Sequence, residues 1–572
     1  MKTFFPIILV LIFFAGNAQN HKYPQNYFRP PVNIPMLLSG NFAELRSGHF
    51  HAGIDIKTNG KEGQPLYAVA DGYVSRIKVS PYGYGYALYI NHPKGYTTVY
   101  GHMKEYNDKI STYVKKQQYK DEKYSVDIYL KPGEIPVRKG EIIGLTGNSG
   151  SSSGPHLHFE IRDAVSQHPL NPLHFGFNIR DNIKPKVYRL LVYPQEFYGS
   201  IHYPRKKKIY HTIYRNGFYS LTDTLHLHGI HGFGVHTNDF LNGSHNKCGV
   251  YSIEMYLDSV SIYKFQLDEF SFSETGYIDS HMDYHENREN NNKVHKTFIE
   301  PNNRLSIYKH AVNNGFINFN DDELHHVLFE IKDAYNNTSF LEFFVQSHSN
   351  PLPEKDTTDY YNYDKVMPYK LSNQFSNDEI KINIPANALY HDIFFKYEKF
   401  PPIPGTYSTV HQVHSNNIPL QKKYTISIKA DSLPEKFRSK ALIARVKDND
   451  RLSSASGYYS NGYVTAKTSC FGRYVIAVDY TAPRIVPINI RNNADMTGSE
   501  YIEIKISDNF SGISTYYGKI DGKWVLFEYD AKKRRIYYYF DEHVEKGKTH
   551  KLFIFAADRK GNASNYKCSF KY

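Results

Sequence analysis

Three short stretches near the start of the chain carry side chains that bind metals or move protons: LRSGHFHAGIDI (Leu45–Ile56), TVYGHM with His102, and GNSGSSSGPHLHFEIRD (Gly147–Asp163). Residues two apart on a strand face the same way, so His156 and His158 project together while Leu157 turns to the core. The same rule puts His49, His51, Gly53 and Asp55 on one face, with Ile54 and Ile56 inward. Gly53 then leaves open space between His51 and Asp55. Along the middle stretch Tyr96, Thr98, Tyr100 and His102 share a face. Neutral imidazoles and a carboxylate are the usual ligands of zinc, and a catalytic zinc takes three protein ligands and keeps one position for water. The chemistry these residues suit is metal-assisted hydrolysis.

Histidine is abundant, with 28 in 572 residues, so other clusters need weighing. A second His-x-His, His226-Leu227-His228, has no carboxylate partner placed by any motif and reads as a strand and turn. The pairs His281/His285 and His411/His414 have ligand spacings but lie in polar, Asn- and Ser-rich segments, which reads as solvated surface. Cys248, Cys470 and Cys568 form no CxxC pair, which excludes a cysteine zinc site or a redox motif.

The elements that must position these groups are strands. With 51 Tyr and 36 Phe against one Trp, and 28 Pro with 37 Gly for turns, the chain is expected to be mainly β. From Leu38 to Phe177, segments such as PLYAVADGYVSRIKV, YALYINH and YTTVYGHM alternate and end at Gly or Pro turns. One piece is helix-like, because Ile110, Tyr113, Val114 and Gln117 fall at helical spacing. The small-residue loop Asn148–Gly154 lets backbone come close to the His156/His158 face.

Beyond residue 180 a unit repeats. DNIKP (Asp181–Pro185) and DYTAP (Asp479–Pro483) open two copies, and DAYNNTS (Asp333–Ser339) and DRKGNAS (Asp558–Ser564) close them. The expected organisation is a signal peptide at 1–18, a leader at 19–37, the histidine-bearing β domain at 38–177 and a first β module with insertions at 178–349. A linker at 350–364, a β module of unknown type at 365–480 and a second copy at 481–572 complete it. The signal rests on Lys2, an apolar run from Phe4 to Phe14 too short to span a membrane, and small residues at Gly16-Asn17-Ala18. It implies work outside the cytoplasm, in the periplasm, the cell envelope or the medium.

Hydrophobic residues at 40% and charged residues at 22% exclude wholesale disorder. The net charge of +12 suits an anionic polymer such as cell wall or nucleic acid and says nothing about fold. The basic run Arg205–Lys208 reads as a solvated loop, and no nucleic-acid partner is expected.

HFHAGIDI, YGHM and GPHLHFEI, in that order, resemble the lysostaphin-type zinc endopeptidases of the LasA/LytM group, over roughly Leu38 to Asp163. The resemblance implies an antiparallel peptidase sheet and one zinc per chain held by His51, Asp55 and His158. It also implies His102 and His156 as the catalytic pair, with either as the base, and peptide cross-links of peptidoglycan as substrate. Two features depart from the family: an insertion from about Lys104 to Pro136, which could reshape one wall of the groove, and the extra His49, a second-ranked ligand. Glu160 is read as structural rather than as a base. Arg46 and Tyr100 are candidates for contact with a substrate carboxylate or the oxyanion.

The repeated units resemble bacterial immunoglobulin-like domains, which implies β-sandwiches. They are expected to position the enzyme without completing its site, and to offer surfaces to other envelope proteins. Two rival readings are a non-catalytic regulator of wall hydrolases, which predicts missing ligands where none is missing, and a glycan-binding envelope protein.

Overall fold

The computed structural model describes residues 23–198, 201–204, 206–352 and 362–572. The expected signal peptide, the first leader residues, most of the linker and Arg205 lie outside them. The chain is mainly β. Its N-terminal sheet contains β1 (Leu38–Gly40), β2 (Ile54–Lys57), β3 (Gly72–Val79), β4 (Tyr86–His92), β5 (Tyr96–Met103), β6 (Val126–Tyr129) and β7 (His156–Asp163), with α1 (Asp108–Asp121) between β5 and β6. The order across the sheet is β1-β2-β7-β5-β4-β3-β6, antiparallel throughout. Two motifs far apart in sequence thus become neighbours, because β7 pairs with β2 on one side and β5 on the other.

The alternation in β7 explains its place. Leu157, Phe159 and Ile161 are fully buried on the core side, and each such side chain contributes about 1.5–3 kcal/mol by leaving water. His156, His158, Glu160 and Arg162 occupy the opposite face. Gly53 has a different role from the one expected. A Cβ there would lie 2.2 Å from the Phe159 carbonyl oxygen, so the glycine lets backbone meet β7 and does not leave open space.

The expected face-sharing of Tyr100 and His102 fails, for a local reason. Tyr86 pairs with Met103 but Leu88 pairs with Tyr100, so β5 carries one extra residue there, a β-bulge. Within it His102 adopts a left-handed φ of 59°, a conformation that costs a non-glycine residue energy and persists only where its surroundings impose it. Tyr100 therefore points into the core, packs against Phe159 and accepts a hydrogen bond from Val69 N at 3.1 Å. It has no place in substrate contact.

The helix-like piece is α1, capped by the Asn107 side chain accepting from Ile110 N. Its buried stripe is Ile110, Val114 and Gln118, while Tyr113 is exposed. The outer face of α1 carries the end of the chain. Tyr119 stacks on His543 at 3.9 Å and donates to Asp541, which also pairs with Lys115 at 2.8 Å. Tyr86 donates to Glu528 at 3.1 Å. The insertion is a docking platform for residues 524–543.

Each later segment is a pair of facing sheets. A six-stranded and an eight-stranded sheet within 186–347 share a core containing Leu190, Phe233, Ile253, Phe329 and Phe343. Two five-stranded sheets within 373–478, and a four- and a five-stranded sheet within 484–571, do the same. The repeat is also structural. Asn337 Nδ2 bridges Asp333 Oδ2 (2.7 Å) and the Asp181 carbonyl (3.3 Å), and Asn562 Nδ2 bridges Asp558 Oδ2 (2.6 Å) and the Asp479 carbonyl (2.9 Å). Ser339 donates to the Pro185 carbonyl as Ser564 does to that of Pro483.

One core crosses the expected boundary near residue 178. Phe42, Leu45 and Phe50 are buried with Phe270 and its neighbours, not with the N-terminal sheet. Asn41 exchanges hydrogen bonds with Gly249 at 2.7 and 2.8 Å. A chain cut after residue 180 would expose these aromatics and free the segment that leads to His51. Such a truncation is expected to lose metal affinity and solubility relative to the full chain, checked by elemental analysis and gel filtration; an intact, metal-loaded fragment would refute it.

Candidate metal centre and active site

Three donor atoms meet where β2 and β7 pair. Asp55 lies directly across from His158 in the ladder. His158 Nδ1 is 2.9 Å from Asp55 Oδ1, His51 Nε2 is 3.0 Å from the same oxygen, and the two ring nitrogens are 3.0 Å apart. All three residues are buried, at 2%, 5% and 3% exposure for His51, Asp55 and His158.

The outer atoms of these side chains decide what the inner ones can do. His51 Nδ1 is 2.7 Å from the Asn41 carbonyl, which can only accept, so the proton sits on Nδ1 and Nε2 presents a lone pair. His158 Nε2 donates to Glu160 Oε1 at 2.8 Å, which turns the Nδ1 lone pair inward. Asp55 Oδ2 accepts from Arg46 at 2.6 Å and aims Oδ1 at the same point. Donor atoms this close, one of them a carboxylate oxygen, need a cation among them, whether a proton on His158 or a metal ion. A tetrahedral zinc with bonds of 2.0–2.1 Å spaces its ligand atoms about 3.3 Å apart. The donor set fits zinc in type, number and spacing, and every ligand has the outer partner that fixes its orientation.

Burial holds the His51 pKa down at about 4, against the pull of Asp55. Burial also works to lower that of His158, but its hydrogen bonds to Asp55 and Glu160 outweigh burial and carry it to about 9. Glu160 is buried, yet Arg162 and His158 hold its carboxyl at about 2. An ionised Glu160, saturated by His158 and Arg162, orients a ligand and has no lone pair directed at substrate. Arg46 is committed to Asp55 and Glu44.

His102 and His156 stand beside the cluster with ring centroids 4.9 Å apart. His102 Nδ1 donates to the Ser149 carbonyl at 2.9 Å, and His156 Nδ1 donates to the Gly154 carbonyl at 2.8 Å. Both Nε2 atoms are left for other work, and that of His156 lies 3.4 Å from Asp55 Oδ1. Burial, with His158 and His156 as neighbours, lowers the His102 pKa to about 3. His49 lies apart, exposed, with Nδ1 on the Ser47 carbonyl.

Tyr84 had no signal in the sequence. It stacks on His158 at 4.8 Å and meets His102 edge-on. In the other histidine pairs His281 and His411 depart from the expectation of solvated surface, while His285 keeps a 44% exposed side chain. His281 is fully buried against His295 at 3.1 Å, and His411 is buried beneath Tyr397. Among the described residues neither pair forms a metal cluster, nor does His226, which faces His348.

The loop that holds both catalytic candidates is gripped from outside. Lys532 Nζ donates to the Asn148 carbonyl, to Asn148 Oδ1 and to the Ser152 carbonyl. Ser149 of that loop orients His102, and Ser152 Oγ lies 3.2 Å from His156 Nδ1. The backbone is tight here; a Cβ on Gly150 would sit 2.3 Å from Gly85 N. The last segment of the chain therefore touches the wall of the site, whereas the sequence leads one to expect units that position the enzyme without completing it.

Two measurements follow. Glu160→Gln, which keeps shape but weakens the hold on His158, is expected to reduce zinc affinity by about 10–100-fold, read by chelator competition. Lys532→Ala is expected to lower turnover several-fold with zinc retained, and Lys532→Arg to recover part of it; unchanged turnover in the alanine variant would show that the grip is idle.

The similarities to known proteins fall on this same segment. Residues 49–119 and 125–172 match peptidase family M23, and residues 364–479 match a Zu5-like domain. The chain is 33% identical over 129 residues to the DD-carboxypeptidase/endopeptidase Mpg of Neisseria meningitidis serogroup B, covering 23% of each protein. It is 29% identical over 164 residues to the peptidoglycan DD-endopeptidase ShyA of Vibrio cholerae, covering 28% of this chain and 32% of that one. The chain thus spans about a quarter to a third of the length of these relatives. Among solved structures, the catalytic domain of the prophage-encoded M23 protein EnpA from Enterococcus faecalis is 28% identical, covering 25% of this chain and 95% of that one, with a TM-score of 0.19. The family match begins at His49 and ends at Pro172, enclosing every residue of the cluster: residues 49–119 and 125–172 form a peptidase family M23 domain.

Proposed function

We propose that the protein is a zinc-dependent endopeptidase, exported from the cytoplasm, that hydrolyses peptide bonds in the cross-links of peptidoglycan. The observation that carries this reading is the convergence of donor atoms from His51, Asp55 and His158, beside His102 and His156, whose Nδ1 atoms are tied to backbone carbonyls. The names of the relatives, peptidoglycan DD-endopeptidase among them, support the substrate class.

A zinc ion held by His51, Asp55 and His158 supplies positive charge that polarises a peptide carbonyl and makes a water easier to deprotonate. The rest falls to the chain. His102 is kept neutral by burial and has its proton fixed on Nδ1 by Ser149, so Nε2 accepts a proton from the attacking water. His156 turns its Nε2 to the developing oxyanion, and the proton taken up by His102 passes to the leaving amine as the C–N bond breaks. Lys532 and the loop it grips keep both rings in register with the bond being cut. Tyr84 covers His158 and excludes water from the cluster's side.

Digestion of purified peptidoglycan by the zinc-loaded full chain, with mass spectrometry of the fragments, tests the reading. Cross-linked muropeptides are expected to fall to monomers, and a zinc chelator to stop the reaction. His102→Ala and His156→Ala are each expected to lower turnover by about 10²-fold or more while zinc stays bound. Cleavage of glycan instead of peptide, or intact cross-links after prolonged digestion, would overturn the proposal.

A further inference from the structure

The two copies of the repeated unit each bring three aspartates together, away from the M23 site. In the first, one carboxylate oxygen from each of Asp181, Asp239 and Asp333 lies within 4.8 Å of the others; in the second the same holds for Asp479, Asp508 and Asp558. The opening Asp, the closing Asp and one Asp from within the unit take part each time. We propose that Asp181, Asp239 and Asp333 hold a divalent cation of the calcium class at the junction between the peptidase domain and the unit that follows.

A cluster of acids alone would not carry this. Asp239 adds an independent sign: it is 1% exposed, and its Oδ1 is buried with no hydrogen-bond partner. Leaving a buried carboxylate oxygen unpaired is costly unless a cation or a proton compensates it. The neighbours do not compensate it. Burial, then Asp333 and Asp181, push the Asp239 pKa up to about 9, opposed only by the Phe240 amide. Burial and Asp333 raise that of Asp181 to about 7. Asp333 is already oriented, with Oδ1 accepting from the Tyr335 and Asn337 amides and Oδ2 from Asn337 Nδ2.

The donors are hard oxygens, which suit calcium and magnesium rather than zinc. Oxygens bonded at 2.3–2.6 Å to one calcium lie up to about 5 Å apart, which matches the cluster. Magnesium demands a near-regular octahedron and keeps its waters, so a loose protein cage of carboxylates favours calcium. The second triad repeats the framework, with Asn562 in the place of Asn337 and Asp508 Oδ1 buried without a partner. It differs in having Lys560, on which both Asp479 and Asp558 act, so it binds the same cation more weakly.

A bound cation would tie the linker at Asp181 to the end of the strand Gly229–Asn238 and to the turn at Asp333. That tie fixes the hinge over which Asn41 and Phe42 reach into the next core. Calorimetric titration of the calcium-free, zinc-saturated full chain with calcium chloride, alongside thermal melts, tests the proposal. One tighter and one weaker binding event are expected, with a calcium-dependent rise in Tm and a smaller rise with magnesium. Asp239→Asn is expected to weaken the tighter event at least about tenfold, Asp508→Asn only the weaker one, and His158→Ala neither. Should Asp239→Asn not fold, Asp181→Asn, at a half-buried position, gives the same reading. Absence of calcium binding up to millimolar concentration, or affinity unchanged in the folded aspartate variants, would overturn it.

Discussion

Two imidazole nitrogens and the Asp55 Oδ1 they share lie about 3.0 Å from one another, a spacing that only a cation among them, proton or metal, makes tolerable. The arrangement is unfavourable by itself, so it has to be imposed. Asn41 fixes one ring, Glu160 the other, and Arg46 the carboxylate. Each of these is fixed in turn, Asn41 by Gly249 and Glu160 by Arg162. Much of the N-terminal architecture can be read as the means of holding lone pairs together until a cation takes them.

That reading explains why charge is buried in the middle of the sheet. Glu160 has no exposure and Arg162 has 6%. Breaking such a pair is strongly destabilising, because the survivor is an uncompensated buried charge. The pair sits on the strand that presents His156 and His158, so its rigidity is transmitted to the site through two residues of backbone. The bulge in β5 works the other way. It spends backbone strain at His102 to turn one ring out of the strand's own pattern and toward the cluster.

Much of this was legible in the sequence, because period two on β7 and along Ile54–Lys57 is a local rule, though it fails at His49, which lies apart. The alternation of Leu157, Phe159 and Ile161 against His156, His158 and Glu160 survives intact. Tyr100 and His102 broke the rule, since an extra residue in a ladder is set by the partner strand and leaves no mark on its own. Asn41 and Tyr84 were invisible for a related reason: one contributes a main-chain carbonyl and the other a ring face, and neither has a motif. His281 and His411 defy the rule that polar neighbours in sequence mean solvent, because the surrounding packing covers them. The aspartates at the unit boundaries were recognised as punctuation, yet Asp239, far from either boundary motif, gave no hint of joining them.

The partners Tyr86 and Glu528 stand 442 residues apart, and Tyr119 and Asp541 stand 422 apart. Contacts so distant in sequence form late, because the loop between them must be ordered before closing it is rewarded. Synthesis runs from the N-terminus, and units fold as they emerge. The contacts within the N-terminal sheet therefore form ahead of the grip of Lys532 on the loop of Ser149 and Ser152. The loop beside His102 and His156 is thus expected to gain its hold from Lys532 only after the contacts within the N-terminal sheet have formed.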